Sequence, residues 1–222
     1  MTPVETNRSI EILADLRRDY RQQVLRETAV DPDPIRQFQI WFDQVLAAEL
    51  PEPNAMTLAT ATSDGKPSAR IVLLKGVDPR GFAFYTNYLS RKGQELTTRP
   101  EAVLVFWWAE LERQVRIEGN VSQIPTAEAD AYFQSRPRGS QLGAWASEQS
   151  QVIPDYAVLE QQLQQLEAHY QNQPIPRPPH WGGFRLQPQR MEFWQGRPNR
   201  LHDRLAYRLI SEGQWHLERL AP

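Results

Sequence analysis

The sequence contains no cysteine. Disulfide frameworks, thiolate metal sites and cysteine nucleophiles are therefore excluded, and the chain is compatible with a reducing compartment. Histidine is scarce as well: the four present form no HxxxH or HExxH pattern, so no zinc site is expected. GxGxxG, GxxxxGK[ST] and GxSxG are all missing, which argues against a dinucleotide fold, a P-loop NTPase and a serine hydrolase. Nor is there an excess of charge. Against 27 Asp+Glu stand 25 Lys+Arg, a net charge of -2, so neither nucleic acid nor an anionic membrane is expected as a partner. The first twenty residues lack an uninterrupted apolar stretch, so neither a signal peptide nor a membrane anchor is expected, and the protein reads as cytoplasmic.

What is present is one core's worth of apolar residues, 40% of 222, which favours a single sizeable domain. Residues 1–30 are polar with scattered apolar positions and read as a flexible arm; 31–222 read as the domain. Asp33-Pro34 is a cap followed by a first-turn proline, and Ile35, Phe38, Trp41, Phe42, Val45 and Leu46 recur at helical spacing. From Met56 the texture changes to strands: MTLATAT, SARIVLLKGV, GFAFYTN, AVLVFWWA and RQVRIEGNVSQI, separated by turn-forming clusters. Helices are expected at 90–99, from Thr126, over RGSQLGAWAS and over 154–171. The C-terminal part returns to strands at FRLQP, RMEFWQG, RLAYRLI and QWHLERL. Short strands with hairpin turns and few inserted helices predict a mostly β, α+β architecture, an antiparallel barrel with peripheral helices.

Four places concentrate cations. Ser90-Arg91-Lys92 opens a helix, where positive charge is unfavourable unless an anion sits on the free N–H groups; the alternative is a solvated basic turn. Arg70 and Lys75 border the most apolar strand and need anionic partners, a ligand or a carboxylate of the protein. By simple alternation they face opposite sides. Tyr132 and Arg136 share a helix face, with Ser140 in the following turn: a phosphate cradle, or a helix end with an exposed arginine. In NRLHDR, an extended chain puts Arg200, His202 and Arg204 on one face and Asp203 on the other, so the two guanidiniums await an anion; the bland reading is a solvated edge strand.

These stretches together resemble the pyridoxine/pyridoxamine 5′-phosphate oxidase family. The similarity is carried by LRRDY at 16–20, ARIVLLKG at 69–76, FYTNYLSRKGQEL at 84–96 and LERQVRIEG at 111–119. It continues with YFQSRPRGSQLGAWAS at 132–147, Gln149-Ser150, WGGFRL at 181–186, EFWQG at 192–196, RLHDR at 200–204 and ERLAP at 218–222. The order is colinear over nearly the whole chain. The resemblance implies an FMN-binding split barrel and a homodimer with FMN at the subunit interface. It implies cofactor contacts from Arg70, Ile71, Val72, Leu73, Leu74, Lys75, Tyr85, Thr86, Arg91, Lys92, Gln114, Gln149, Ser150, Trp194 and Arg204. It places the substrate at Lys75, Tyr132, Arg136, Ser140, Arg200, Leu201 and His202, with Arg17, Arg18, Asp19 and Tyr20 on an arm that can cover it. Arg200 and His202 are the implied catalytic residues. The implied reaction oxidises a phosphorylated B6 vitamer to pyridoxal 5′-phosphate, with O2 reduced to H2O2. A non-catalytic flavin or pyridoxal phosphate carrier, and a split-barrel reductase for another substrate, are the competing readings.

Overall fold

A computed structural model describes residue 20 and residues 23–222. Its frame is one nine-stranded antiparallel sheet. In chain order come helix α1 (Pro34–Ala47), strands β1 (Ala55–Ala61), β2 (Pro67–Leu73), β3 (Gly76–Asp78) and β4 (Gly81–Asn87), helix α2 (Arg91–Thr98), and strands β5 (Glu101–Trp108) and β6 (Arg113–Gln123). Helices α3 (Thr126–Ser135), α4 (Arg138–Ala146) and α5 (Ala157–His169) follow, then β7 (Trp181–Gln195), β8 (Asp203–Ser211) and β9 (Gln214–Arg219). The strand order is β2-β1-β5-β6-β7-β4-β3, and β8 joins β7 to β9. The mostly β class with peripheral helices is therefore as expected.

Helix α1 begins where its sequence says it should. Asp33 accepts the Ile35 N–H at 2.9 Å and Pro34 takes the first turn, a cap worth about 1 kcal/mol. Its apolar stripe then docks on the sheet. Phe38 meets Phe82 and Phe106 with ring centroids 5.0 Å apart, and Trp41 stands edge-on to Phe193 at 5.2 Å. Each such ring contributes about 1.5–3 kcal/mol by leaving water. Leu46, expected in the stripe, is half exposed instead.

Strand β7 departs from expectation. FRLQP and RMEFWQG are one strand of fifteen residues, not two. Pro188 is tolerated because it sits opposite Gly119, where the β6–β7 register shifts by a bulge. A Cβ on Gly119 would lie 2.0 Å from the Gln187 carbonyl oxygen, so the bulge needs glycine. The first half of β7 pairs with β4 and the second with β8, so this strand joins the two regions described below.

The expected arm also needs correction at its end. Residues 23–30 are fastened to the sheet: Leu25 is buried in the core, its N–H donates to Asp203 at 3.1 Å, and Arg219 pairs with Glu27 at 2.6 Å. Arg17, Arg18 and Asp19 lie outside the described residues. No helix among the described residues is long and apolar enough to cross a membrane.

Candidate active site

A second, smaller apolar cluster underlies the site. Phe133, Leu142, Ile175 and Trp181 hold α3, α4 and the start of β7 together. Above it opens a cavity of about 610 Å³, within the usual range for small-molecule sites. It brings together Ile71, Val72, Leu73, Lys75, Tyr85, Thr86, Lys92, Tyr132, Arg136, Ser140 and Gln149, eleven of the residues singled out from the sequence.

Local structure explains their positions. β2 ends at Leu73 and β3 begins at Gly76, so Lys75 falls in the break. The expected opposition of Arg70 and Lys75 therefore rests on the wrong geometry, although only Lys75 lines the cavity. Leu74 turns into the core. Ser90 caps α2, accepting the Gly93 N–H at 3.3 Å, and this sets Lys92 on the cavity side. Lys92 Nζ donates to Gln149 Oε1 at 3.1 Å and to Thr86 Oγ1 at 3.3 Å. Burial, and then the nearby Arg70, depress its pKa. Among the described residues Lys75 and Lys92 make no ion pair.

Arg136 follows the end of α3 with extended backbone angles, rather than lying within the helix as expected. It still reaches the same wall as Tyr132 and Ser140. Burial lowers its pKa and raises that of Tyr132. Arg136 Nη1 is buried without a hydrogen-bond partner among the described residues.

Arg91, expected at the helix start, and Arg70, expected at the border of the apolar strand, are not free. Glu95 Oε1 accepts Arg91 Nε at 2.9 Å, and Glu95 Oε2 pairs with Arg70 Nη2 at 3.2 Å and accepts the Thr60 hydroxyl at 2.5 Å. Burial alone would raise the Glu95 carboxyl; the Thr60 and Arg91 hydrogen bonds, with Arg70, more than reverse this and leave it below its ordinary value. For Arg70 the protein carboxylate is thus the partner found. Glu95 was missed, although Arg91 and Glu95 have the i,i+4 spacing that signals a helix-face pair.

The remaining expected residues gather elsewhere. Trp107, Gln114, Trp194 and Arg204 form one cross-strand row over β5, β6, β7 and β8. The adjacent row, Phe106, Val115, Phe193 and Leu205, is fully buried, so the first row faces away from the core. Trp194 lies 4.6 Å from the His202 ring, and Tyr20 stands 5.7 Å from both. None of these residues lines the cavity, nor do Arg70, Arg91, Ser150, Arg200 or Leu201.

The extended reading of NRLHDR fails. Pro198–Arg200 is a 3-10 turn with left-handed Asn199 and Arg200, at φ 57 and 61, and β8 starts only at Asp203. Arg204 is neutralised by Glu192 at 2.7 Å, and Asp203 is occupied by Arg219 at 2.8 Å. His202 Nδ1 accepts the Arg197 N–H at 3.1 Å, which leaves the ring proton of the neutral form on Nε2. Burial, then the Arg200 charge, hold His202 below the usual histidine pKa. Arg200 itself is exposed and has no side-chain partner among the described residues.

Known proteins match this chain over 95% of its length. Residues 42–170 match the family described as pyridoxamine 5′-phosphate oxidase, and 181–222 match the pyridoxine 5′-phosphate oxidase C-terminal dimerisation region. A pyridoxine/pyridoxamine 5′-phosphate oxidase of Acaryochloris marina is 69% identical over 210 residues, 95% of each chain. One from Cyanothece is 67% identical, over 95% of this chain and 98% of its own. Among solved structures, PhzG from Burkholderia lata, in complex with tetrahydrophenazine-1-carboxylic acid, superposes with TM-score 0.84. It is 34% identical, covering 90% of this chain and 98% of that one. An FMN-binding, pyridoxamine 5′-phosphate oxidase-related protein from Nostoc punctiforme has TM-score 0.69 at 18% identity, over 87% and 100% of the two chains. That likeness concerns the fold alone, a split barrel.

Proposed function

The chain belongs to the pyridoxine/pyridoxamine 5′-phosphate oxidase family, and from that premise we propose how its two groups of residues bind FMN and a phosphorylated B6 vitamer. The enzyme oxidises pyridoxamine or pyridoxine 5′-phosphate to pyridoxal 5′-phosphate, with O2 as acceptor and H2O2 as co-product. The cavity wall is the observation that carries the proposal. It holds Lys75, Lys92 and Arg136, none of them ion-paired with a carboxylate among the described residues. Lys92 and Arg136 are half-buried, and desolvated cations of this kind await an anion, while Lys75 stands exposed beside them.

The residues fit a flavin phosphate. Arg70, Arg91 and Lys92 surround the single Glu95 carboxylate. The surplus of about two positive charges matches a phosphate monoester dianion. Lys92, Thr86 and Gln149, already linked by hydrogen bonds, would turn toward it. The second phosphate, that of the substrate, is assigned to Lys75, Tyr132, Arg136 and Ser140, where a guanidinium, a phenol and a hydroxyl converge.

When bound, FMN would supply the redox chemistry, passing two electrons from substrate C4′ to O2, with one proton from C4′ and one from the amine or hydroxyl completing H2O2. The protein's part is position and charge. Anchoring a distant phosphate gives remote binding energy that aligns C4′. Arg200, exposed and unpaired, clamps the substrate ring. His202 can serve only as an Nε2–H donor while neutral, because its other nitrogen is engaged by the Arg197 N–H. Water attacks the oxidised amine carbon and ammonia leaves; the alcohol gives the aldehyde without hydrolysis.

The Trp194/Arg204/His202 group lies within 181–222, the stretch matching a dimerisation region. We place it over the cavity of a second copy, so that FMN lies between subunits of a homodimer. A cytoplasmic location belongs to the same proposal. The test is peroxide formation by the purified yellow protein given pyridoxamine 5′-phosphate. Stoichiometric H2O2 and pyridoxal 5′-phosphate are expected; a bound flavin with no turnover would indicate a carrier.

A further inference from the structure

Arg136 is supported by aromatic faces and not by a carboxylate. Its guanidinium carbon lies 4.4 Å from the Trp181 ring centroid and 5.6 Å from that of Phe133. Among the described residues the Arg136 side chain has no ion pair, and its buried Nη1 has no hydrogen-bond partner. The indole face is therefore its principal support.

Trp181 is well built for that purpose. As the first residue of β7 it pairs with Asn87 of β4, and its N–H donates to the Pro178 carbonyl at 3.0 Å. Its carbonyl accepts Arg177 Nη1 at 2.6 Å. The ring lies nearly parallel to Tyr85 and Tyr132, within 10° and 7°, and those two phenols stack at 3.8 Å. Phe133 meets it edge-on at 5.2 Å. The platform is thus fixed by the sheet on one side and by stacked rings on the other.

We propose that Trp181 is a positioning residue for substrate phosphate: its indole face holds the Arg136 guanidinium at the cavity wall without an ionic partner that would compete with the anion. The inference rests on the cradle assigned above to Lys75, Tyr132, Arg136 and Ser140. An ionic partner would compete with phosphate for the guanidinium, whereas an aromatic face fixes its plane and leaves its charge unspent. Trp181 would thereby favour phosphorylated over unphosphorylated vitamers.

The test compares holoenzyme variants Trp181→Phe, Trp181→Leu and Arg136→Met with pyridoxamine 5′-phosphate as substrate. Trp181→Leu should raise KM about tenfold, the scale of a desolvated cation–π contact, with kcat and flavin content nearly unchanged. Inhibition by inorganic phosphate should weaken in parallel, and Trp181→Phe should restore most of both. An unchanged KM in Trp181→Leu beside a raised KM in Arg136→Met would overturn the role of Trp181 and leave the cradle standing. No change in either variant would remove the cradle itself. Equal loss of kcat and flavin in both Trp181 variants would mark a purely structural residue. Should Trp181→Leu not fold, the wild-type emission change on adding inorganic phosphate decides: it should largely vanish in Trp181→Phe, and its persistence there overturns the proposal.

Discussion

Arg200 and His202 sit two residues apart, yet the structure gives them different freedoms. Arg200 is exposed, left-handed at φ 61 and unpaired among the described residues. Replacing it by Leu removes a ring clamp and little else. Turnover should fall about a hundredfold, the cost of misplacing a reacting group, while the flavin absorbance of the purified protein is unchanged. Equal turnover would refute the clamp. His202, by contrast, is tied through Nδ1 and held below the usual histidine pKa by burial and by Arg200. A base whose folded pKa is depressed binds fewer protons folded than unfolded. Its contribution to stability is therefore complete above the ordinary value of 6.5, erodes as pH falls through it, and is lost below the folded value. His202→Asn, which can still accept the Arg197 N–H, should flatten that part of the melting-temperature profile; an identical profile would contradict the assignment. At this scale the sequence was a good guide to residue types and a poor one to partners. Glu95 and Glu192 went unseen because Arg70 is 25 residues from Glu95 and Arg204 lies on the strand beside Glu192.

Among the elements, α2 links local sequence to ligand most directly. Ser90 caps it, and Gly93 lets it pack against the preceding turn. A Cβ on Gly93 would lie 2.3 Å from the Tyr88 carbonyl oxygen and 2.6 Å from that of Asn87. Neither backbone oxygen can yield cheaply. Gly93→Ala should cost about 1–3 kcal/mol, as overpacking does, and should displace Lys92 from the cavity. A lowered melting temperature with weakened FMN affinity is expected; unaltered values for both would show that the turn can move. The cap and the hairpin strands were legible because each depends on neighbours within a few residues. The continuous β7 was not, because Pro188 normally ends a strand and only the bulge opposite Gly119 excuses it. The same reasoning explains the failed extension of NRLHDR, whose turn is set by Pro198 and two left-handed residues.

For the whole molecule, one roll of site residues read from the motifs becomes two groups in the fold. Eleven line a cavity built on β2, β4, α3 and α4; Gln114, Trp194 and Arg204 lie on the outer face of β6, β7 and β8, with His202 beside Trp194. Colinear motifs cannot reveal that separation, since alternation along a strand tells which face a residue takes but not which protomer it serves. We place Arg200, two residues before His202, with the group that reaches the second copy, so that each active site takes its phosphate cradle from one protomer and Arg200 from the other. That placement is tested most directly by co-expressing Arg136→Met and Arg200→Leu chains under different tags and assaying the doubly tagged fraction. Each mixed dimer has one of two sites intact, so the doubly tagged fraction should recover about half of wild-type activity, and unfractionated protein, in which random pairing makes about half of the dimers mixed, about a quarter. Activity no greater than that of the two parent variants would mean that both residues serve the same protomer's site, and would contradict the account.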